Sequence, residues 1–271
     1  MNNDRTGQTP NTPEISSRRG IIKGTCLATF IGMVTKSATA APLTTGGMQL
    51  PSAPKHVGDS LQANVQASQT QRLLDGFAVS QLILRERLAR ETHNYDDEEA
   101  CFYPEAIVEV SWFKGTAAEF VNAGRISGPA EYGKKSVYFD SIGPASVLVS
   151  NDRAIADSAC AIHTFLPLDG VEASMTSYTR LLYRARNAGG EWRIAGLRAI
   201  YIRDQLEPSN PAEIPQIDLV KLNLYRPSYR HLSYVLQANG RPLRNDLPGV
   251  DQPDAVTALR AAERRWLYGG E

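Results

Sequence analysis

The stretch that decides the fold runs from Leu82 to Gly115 and reads LILRERLARETHNYDDEEACFYPEAIVEVSWFKG. It begins with the spacing of an amphipathic helix and ends with the alternation of a β-strand. At about 100° per residue, one narrow stripe of the helix collects Leu73, Phe77, Ser80, Leu84, Leu88 and Glu91. We expect this stripe to be buried, so the Glu91 carboxylate must neutralise, find a partner or face a cavity. The alternative is an exposed Arg87–Glu91 ion pair, one helical turn apart.

Outward from this stretch, helical patterns come first along the chain and strand patterns follow. The early helical patterns cover residues 71–92, 96–101 and 116–123. The strand patterns cover residues 106–112, 136–142, 145–149, 154–166, 173–186 and 192–203. Because short turns separate these strands, we expect an antiparallel meander rather than a parallel sheet. Two further helices, at 228–239 and 254–268, carry apolar faces that need a partner.

Composition argues against several functional classes. The chain has 271 residues with 29 basic and 29 acidic side chains. Because the two numbers are equal, the sequence has no excess of positive charge with which to bind nucleic acid. The sequence contains no glycine motif for binding a nucleotide, and its four histidines are scattered without the spacing of a metal site. We therefore expect no nucleic-acid partner, no cofactor and no metal.

Residues 1–40 carry the ordered features of an export signal. Ser17 to Lys23 closely resembles the twin-arginine motif, with the arginine pair at Arg18 and Arg19. An apolar run too short to cross a membrane follows, and a small-residue cleavage site ends at Ala40. We predict a twin-arginine signal peptide, the twin-arginine export machinery as a partner, and a periplasmic or secreted protein. A disordered basic tail is the alternative.

Two of the three cysteines lie beyond this signal. Their spacing leaves two states open for Cys101 and Cys160, a disulfide in an oxidising compartment or a pair of buried free thiols. We expect the free thiols. A nucleophilic cysteine needs a basic partner nearby, and the sequence indicates none.

The order of helix, short helix, strand, loop and long antiparallel strands resembles the SnoaL-like branch of the nuclear-transport-factor-2-like superfamily. The resemblance covers about residues 71–266. The order and spacing of its motifs together carry the resemblance, rather than any single motif. They lie at Arg85–Glu91, Cys101–Ala106, Ser111–Gly115, Gly143-Pro144, Asn151–Ala154, Gly190–Ile194, Ile202–Leu206 and Arg226–Leu236.

The resemblance implies an α+β domain, a cone-shaped barrel in which a curved antiparallel sheet wraps on N-terminal helices around an apolar cavity. We place this domain at residues 71–210, after a flexible linker at 41–70 that holds few large apolar side chains. Residues 211–271 form a helical C-terminal extension that packs on this sheet or on a second subunit, so a homodimer remains open.

Several lyases of the family use an acidic residue on the pocket helix together with a histidine on a strand. By this resemblance, Glu91 matches the acidic position, and Asp140 stands where relatives carry the histidine. His163, on a long strand, is the candidate substitute for that histidine. The candidate ligand-binding aromatic residues are Trp112, Tyr138, Tyr178 and Tyr201. Ordinary packing is the alternative for these aromatic residues and for the histidine.

The expected ligand is a small apolar or carbonyl-containing molecule. If the chain is an enzyme, its expected reaction is cofactor-free removal of a proton from carbon beside a carbonyl or leaving group. Such a lyase, isomerase or cyclase needs a base whose pKa is raised by an apolar pocket and a second carboxylate. Because the fold alone does not assign chemistry, a non-catalytic domain for ligand binding or dimerisation is the alternative.

Overall fold

A computed structural model describes residues 57–127 and 136–270, with side chains from residue 65 onward. These residues belong to one compact unit, Lys55–Glu271. The predicted signal peptide, with Arg18, Arg19 and Ala40, lies outside the described residues. None of the helices in the described part of the chain combines the length and the apolar character that a membrane crossing needs.

The described residues form six helices, three early in the chain and three in the C-terminal extension. They are α1 (Val57–Glu91), α2 (Tyr95–Ala100), α3 (Ala117–Ser127), α4 (Leu219–Leu222), α5 (Arg230–Ala238) and α6 (Pro253–Leu267). Gly240 follows α5 with a φ of 66°, a left-handed conformation that glycine adopts without steric cost and that commonly ends helices.

Seven strands of the described residues form one sheet. They are β1 (Phe102–Val110), β2 (Phe113–Thr116), β3 (Val137–Ile142), β4 (Ser146–Ser150), β5 (Arg153–Leu168), β6 (Val171–Ala188) and β7 (Glu191–Pro208). Their order is β2-β1-β7-β6-β5-β3, and β4 also pairs with β5. The long strands β5, β6 and β7 form the expected antiparallel meander. The expectation of a wholly antiparallel sheet is wrong for β1, which pairs with β7 in parallel because no short turn joins these two strands.

The sheet is curved and does not close. Register shifts between Tyr178 and Thr179 and between Arg184 and Ala185 mark bulges in the pairing of β6 with β7, and bulges bend and twist a sheet. Helix α1 packs across β3, β4, β5 and β7. The expected α+β class, with a curved sheet wrapped on N-terminal helices, is confirmed.

Helix α1 begins at Val57, whereas the sequence pattern places its start at Gln71. The expected linker therefore contributes residues 57–70 to the helix. Residues 57–70 hold three glutamines, two alanines and one leucine, which favour helix intrinsically even without an apolar face to bury, and they contain no proline. The sequence pattern missed it because that pattern depends on such a face.

The buried face of α1 is not the predicted stripe. Leu73, Phe77 and Leu88 are 75%, 65% and 61% exposed. The face that packs on the sheet instead holds Val79, Leu82, Ile83, Glu86, Arg87 and Ala89. Two adjacent charged residues in this face hide it from a hydrophobicity pattern. They can be buried because they bind each other and further polar groups.

Both larger C-terminal helices pack on the sheet of their own chain. Helix α5 packs on β6 and β7 through its predicted apolar face, where Tyr229, Leu232 and Val235 are buried. Helix α6 packs on β5, and the Glu263 carboxylate of this helix binds Arg184 and Arg198 of neighbouring strands.

Residues 248–250, a short segment before α6, extend the sheet where β1 stops. The Tyr201 backbone N–H donates to the Pro248 carbonyl at 2.9 Å, and the Val250 N–H donates to the Tyr201 carbonyl at 2.9 Å. The pairing of β1 with β7 ends at Arg198, so this segment covers the next part of the β7 edge. The C-terminal extension is therefore tied to the sheet by backbone hydrogen bonds as well as by its helices.

Candidate functional site

A cavity of about 530 Å³ lies among α1, α3, α5 and the inner face of the sheet. Its volume is in the range of small-molecule sites. Much of the wall is apolar, and it includes Phe120, Leu166, Met175, Leu181, Leu197 and Leu232. Such a cavity excludes water from a ligand and strengthens the electrostatic interactions within it.

The register of the sheet places polar groups in one row across the cavity floor. Asp140 of β3 pairs with Ile162 of β5, and Ile162 pairs with Ser177 of β6. Residues directly opposite each other in antiparallel strands point to the same face, and all three line the cavity. Since adjacent strands lie roughly 5 Å apart, the Cα atoms of Asp140 and Ser177 are about 10 Å apart. One small ligand can bridge this distance.

A buried ion network holds the Asp140 carboxyl in place. The Arg87 guanidinium donates to the Glu86 carboxylate through Nε at 2.6 Å and through Nη2, and its Nη1 donates to Asp140 Oδ2 at 3.3 Å. The Tyr183 hydroxyl donates to Glu86 Oε2 at 3.3 Å. Glu86 has no exposed side-chain surface, and the side chains of Arg87 and Asp140 are 7% and 10% exposed.

Glu91 lies beside Asp140, as the paired-carboxylate hypothesis requires. Its Oε2 accepts a hydrogen bond from the Asp140 backbone N–H at 3.2 Å, and both residues line the cavity. The alternative of an Arg87–Glu91 pair on a solvated face does not hold, because Arg87 is buried and binds Glu86 and Asp140.

The environment of Asp140 makes its carboxyl a stronger base than in water. Burial raises the pKa of the Asp140 carboxyl, the nearby Arg87 charge lowers it in part, and the Glu86 and Glu91 carboxylates raise it further. The net effect is a raised pKa. A carboxylate in this position takes a proton more readily than one on the surface.

A buried hydroxyl at the cavity has no partner. Ser177 is 1% exposed and lines the cavity, yet its Oγ makes no hydrogen bond with any residue that the structure describes. Buried polar groups are nearly always satisfied, so an unpartnered one calls for a ligand or a water. Thr164, 5% exposed, adds a second hydroxyl to the cavity wall.

Three of the four predicted aromatic residues line the cavity. Trp112, Tyr138 and Tyr201 belong to its wall, and burial raises the pKa of Tyr201 to about 12. Tyr178 does not belong to the described wall. Side chains alternate along a strand, so Tyr178 faces away from the cavity that its neighbour Ser177 lines.

His163 also lies away from the cavity. Its neighbours Ile162 and Thr164 line the cavity wall, so alternation along β5 directs His163 to the other face of the sheet. There Nδ1 lies 3.0 Å from Thr176 Oγ1, and the ring packs on Phe139 with centroids 5.8 Å apart. The structure supports ordinary packing for His163 rather than the substitute role.

Two arginines approach one indole ring at the cavity. The Cζ atoms of Arg90 and Arg241 lie 5.5 Å and 5.4 Å from the Trp112 ring centroid. Arg90 also lies over the Phe120 ring at 3.9 Å and binds the buried Glu98 carboxylate at 2.7 Å. Cations over aromatic faces are attracted by the ring quadrupole, so Trp112 helps to hold both arginines at the wall.

Within the described ranges, no three histidine, cysteine or acidic side chains cluster in a way that could hold a metal ion. Cys101 and Cys160 are buried free thiols, as expected. Burial raises the pKa of Cys160 to about 12, so this thiol stays protonated at neutral pH and is a poor nucleophile.

Four polar residues of the site are not indicated by the sequence patterns: Glu86, Arg87, Ser177 and Arg241. Adjacent charges within a helix, such as Glu86 and Arg87, usually indicate a solvated face, so no sequence signal separates this pair from surface charges. Ser177 had a signal in principle, because it is a small polar residue on the inward parity of a long strand. Arg241 enters the cavity only through the packing of α5.

No family model matches the chain. Among solved structures, a hexachlorocyclohexane dehydrochlorinase from Novosphingobium barchaimii is 15% identical, with a TM-score of 0.41 over 55% of this chain and 98% of that one. An NTF2-like protein with a cystatin-like fold from Novosphingobium aromaticivorans is 19% identical, with a TM-score of 0.39 over 49% and 86%.

A stronger similarity exists at the level of sequence. Pea pathogenicity protein 2 from Fusarium vanettenii is 25% identical over 208 residues, which cover 72% of this chain and 88% of that protein. By sequence, this chain is therefore similar to pea pathogenicity protein 2 over most of the length of both.

Proposed function

We propose that the chain binds a small apolar, carbonyl-containing molecule in the cavity and removes a proton from the carbon beside the carbonyl, without a cofactor. One observation carries the proposal: the Asp140 carboxyl lies in an apolar cavity, fixed in place and with a raised pKa. Isomerisation, dehydration, ring closure and elimination all begin with this step, so the proposal names the step and leaves the product open.

In this mechanism Asp140 is the base. Arg87 binds one carboxyl oxygen, Oδ2, which leaves Oδ1 available to take the proton. Glu91 binds the backbone N–H of the same residue and fixes the middle of β3 against the end of α1, so it acts as a positioning residue. Holding the base at one place before the ligand arrives removes the reorganisation that water would require.

The Ser177 hydroxyl is the candidate donor for the oxygen of the ligand. Proton removal places negative charge on the carbonyl oxygen, and a hydrogen bond in a water-poor site stabilises that charge strongly. Ser177 Oγ is buried and has no hydrogen-bond partner within the described residues, so its proton is free for this role. Its position two strands from Asp140 fits a ligand that lies across the sheet floor.

Non-catalytic binding is the second candidate function. The Arg87 charge lies 3.3 Å from Asp140 and opposes proton uptake by that carboxyl. A protein that only stores or carries an apolar ligand needs the same cavity but no base. Under this alternative, the Asp140 carboxylate serves to neutralise the charge of Arg87.

The test uses 2-tetralone, an apolar ketone with acidic hydrogens beside its carbonyl. In D₂O, the full chain should accelerate exchange of these hydrogens for deuterium, as followed by proton NMR, and Asp140→Asn should abolish the acceleration. His163→Gln and Asp152→Asn are matched controls, because His163 lies outside the described cavity wall and Asp152 is exposed in a turn. Both controls should exchange like the wild type.

Three outcomes separate the candidates. Exchange that survives Asp140→Asn contradicts the assignment of the base. Binding of 2-tetralone without any exchange favours the non-catalytic candidate. Absence of both binding and exchange removes the support for an apolar carbonyl ligand.

A further inference from the structure

One cationic group at the cavity lacks a counter-ion. The Arg241 guanidinium contacts Trp112 but forms no ion pair with any residue in the described part of the chain. Arg90, which approaches the same ring, differs in this respect because Glu98 balances its charge. A guanidinium partly withdrawn from water loses hydration, and a bound anion would restore the lost interactions.

The placement of Arg241 sets the direction of a ligand. Arg241 contacts Trp112, which comes two residues after β1, whereas Asp140 lies on β3 at the other end of the strand path. Because the sheet curves around the cavity, both residues reach its wall. A ligand whose anionic group binds Arg241 has that charge balanced by a different guanidinium from the one that binds Asp140.

A second and independent feature also points to a ligand. The Ser177 hydroxyl is 1% exposed and is left without a partner by the residues that the structure describes. The cavity thus offers two unused polar contacts, a buried hydroxyl on its floor and a guanidinium supplied by the C-terminal extension. Apolar side chains such as Leu181 and Leu197 lie in the wall with them.

The C-terminal extension is fixed firmly enough to supply a binding group. Asp204 of β7 accepts a hydrogen bond from the Leu232 backbone N–H at 2.7 Å, and His231 Nδ1 lies 2.8 Å from its other oxygen. These contacts hold the first turn of α5 on the sheet. Arg241 follows only two residues after the C-cap of the same helix, so its backbone is held at the cavity.

We propose that the carbonyl-containing ligand of this cavity also carries an aromatic ring and a carboxylate group, with the carboxylate bound to Arg241 and the ring packed against Trp112. The planar guanidinium matches a carboxylate with two parallel hydrogen bonds. This inference rests on the proposed function, because it names the ligand class of the same cavity.

The test compares 2-naphthoate with its neutral analogue 2-naphthamide by isothermal titration calorimetry on the full chain. The wild type should bind 2-naphthoate at least about tenfold more tightly, which corresponds to about 1.4 kcal/mol. Arg241→Gln should lose this preference and keep its affinity for 2-naphthamide. Arg264→Gln is the matched control, because Arg264 is exposed on α6 and lies outside the described wall, and it should behave like the wild type.

The outcomes distinguish this inference from the proposed function. Equal affinities of the wild type for the two probes, or a preference that survives Arg241→Gln, overturn the carboxylate inference and leave the apolar cavity intact. If neither probe binds the wild type, the proposed ligand-binding function fails and this inference falls with it. If circular dichroism shows that Arg241→Gln is unfolded, Arg241→Met, which keeps an unbranched side chain but removes the charge, replaces it, and an undiminished preference there overturns the inference.

Discussion

At the residue scale, a single arginine holds two carboxylates at the core of the candidate site. Arg87 binds Glu86 and Asp140, and all three side chains are almost completely buried. A buried ion pair contributes little net stability when it is complete, because desolvation offsets the attraction. Removing one partner is costly, since it leaves an uncompensated charge inside the protein.

Arg87→Met should therefore reduce the free energy of unfolding by about 3–5 kcal/mol. Urea denaturation of the folded chain measures this change. Arg72→Met is the matched control, because Arg72 is exposed on the same helix and should change stability by less than about 0.5 kcal/mol. Equal effects of the two substitutions would show that the Arg87 network does not hold the site together.

The raised pKa of Asp140 predicts a pH dependence of stability with a definite sign. The folded state binds the Asp140 proton more tightly than the unfolded state, so this group contributes stability at low pH and loses that contribution as pH rises through the folded pKa. Asp140→Asn removes the titration. At low pH the two proteins should have similar free energies of unfolding. Towards neutral pH the variant should become the more stable of the two.

Melting temperatures of the two proteins across the acid-to-neutral range test this. Asp152→Asn, in the exposed turn between β4 and β5, controls for the loss of one carboxylate. A wild type that gains stability over Asp140→Asn as pH rises would mean that the Arg87–Asp140 attraction outweighs burial of the carboxyl.

At the element scale, helix α5 completes the cavity and is fixed by one carboxylate. Leu232, Val235 and Leu236 of this helix belong to the cavity wall. Asp204, 5% exposed, accepts hydrogen bonds at the first turn of the helix, where the N-cap residue Tyr229 makes no side-chain cap. The position of the wall thus depends on a strand residue that replaces an ordinary helix cap.

Asp204→Asn should lower the free energy of unfolding by about 1–3 kcal/mol, because it removes the charged acceptor shared by the buried Leu232 N–H and by His231 Nδ1. It should also weaken binding of 2-naphthamide by displacing the wall. Denaturation and calorimetry measure the two effects, with Asp254→Asn in the exposed first turn of α6 as control. Normal stability with normal binding would show that α5 does not need this anchor.

At the scale of the whole molecule, the chain joins a predicted export signal to a folded α+β unit. The twin-arginine route carries proteins that are already folded, and the free thiols at Cys101 and Cys160 fit a domain that needs no disulfide to fold. The signal lies outside the described residues, so export stays a prediction. A homodimer also stays a prediction.

The export prediction is tested on the full chain in a bacterium with an active twin-arginine pathway. Changing Arg18 and Arg19 together to lysine should stop cleavage after Ala40 and leave the full-length protein in the cytoplasm. Arg5→Lys, outside the motif, is the matched control and should be processed normally. Normal processing of the double variant would rule out the twin-arginine route.

The sequence by itself determined the features that depend on local patterns. Strand alternation and short turns predicted the long antiparallel strands β5 to β7. Apolar spacing predicted the packed face of α5. The resemblance and the apolar stripe both led to Glu91, which does lie at the cavity, although the stripe itself is exposed.

Only the tertiary structure decided which charged groups are buried and what they bind. Glu86 and Arg87 lie on the packed face of α1 because Tyr183 and Asp140 meet them there, and those residues are far away in sequence. Arg241 reaches the cavity because α5 packs on β6 and β7. Periodicity records whether a side chain is apolar, whereas the burial of a charge depends on partners from other elements, so no local pattern contains this information.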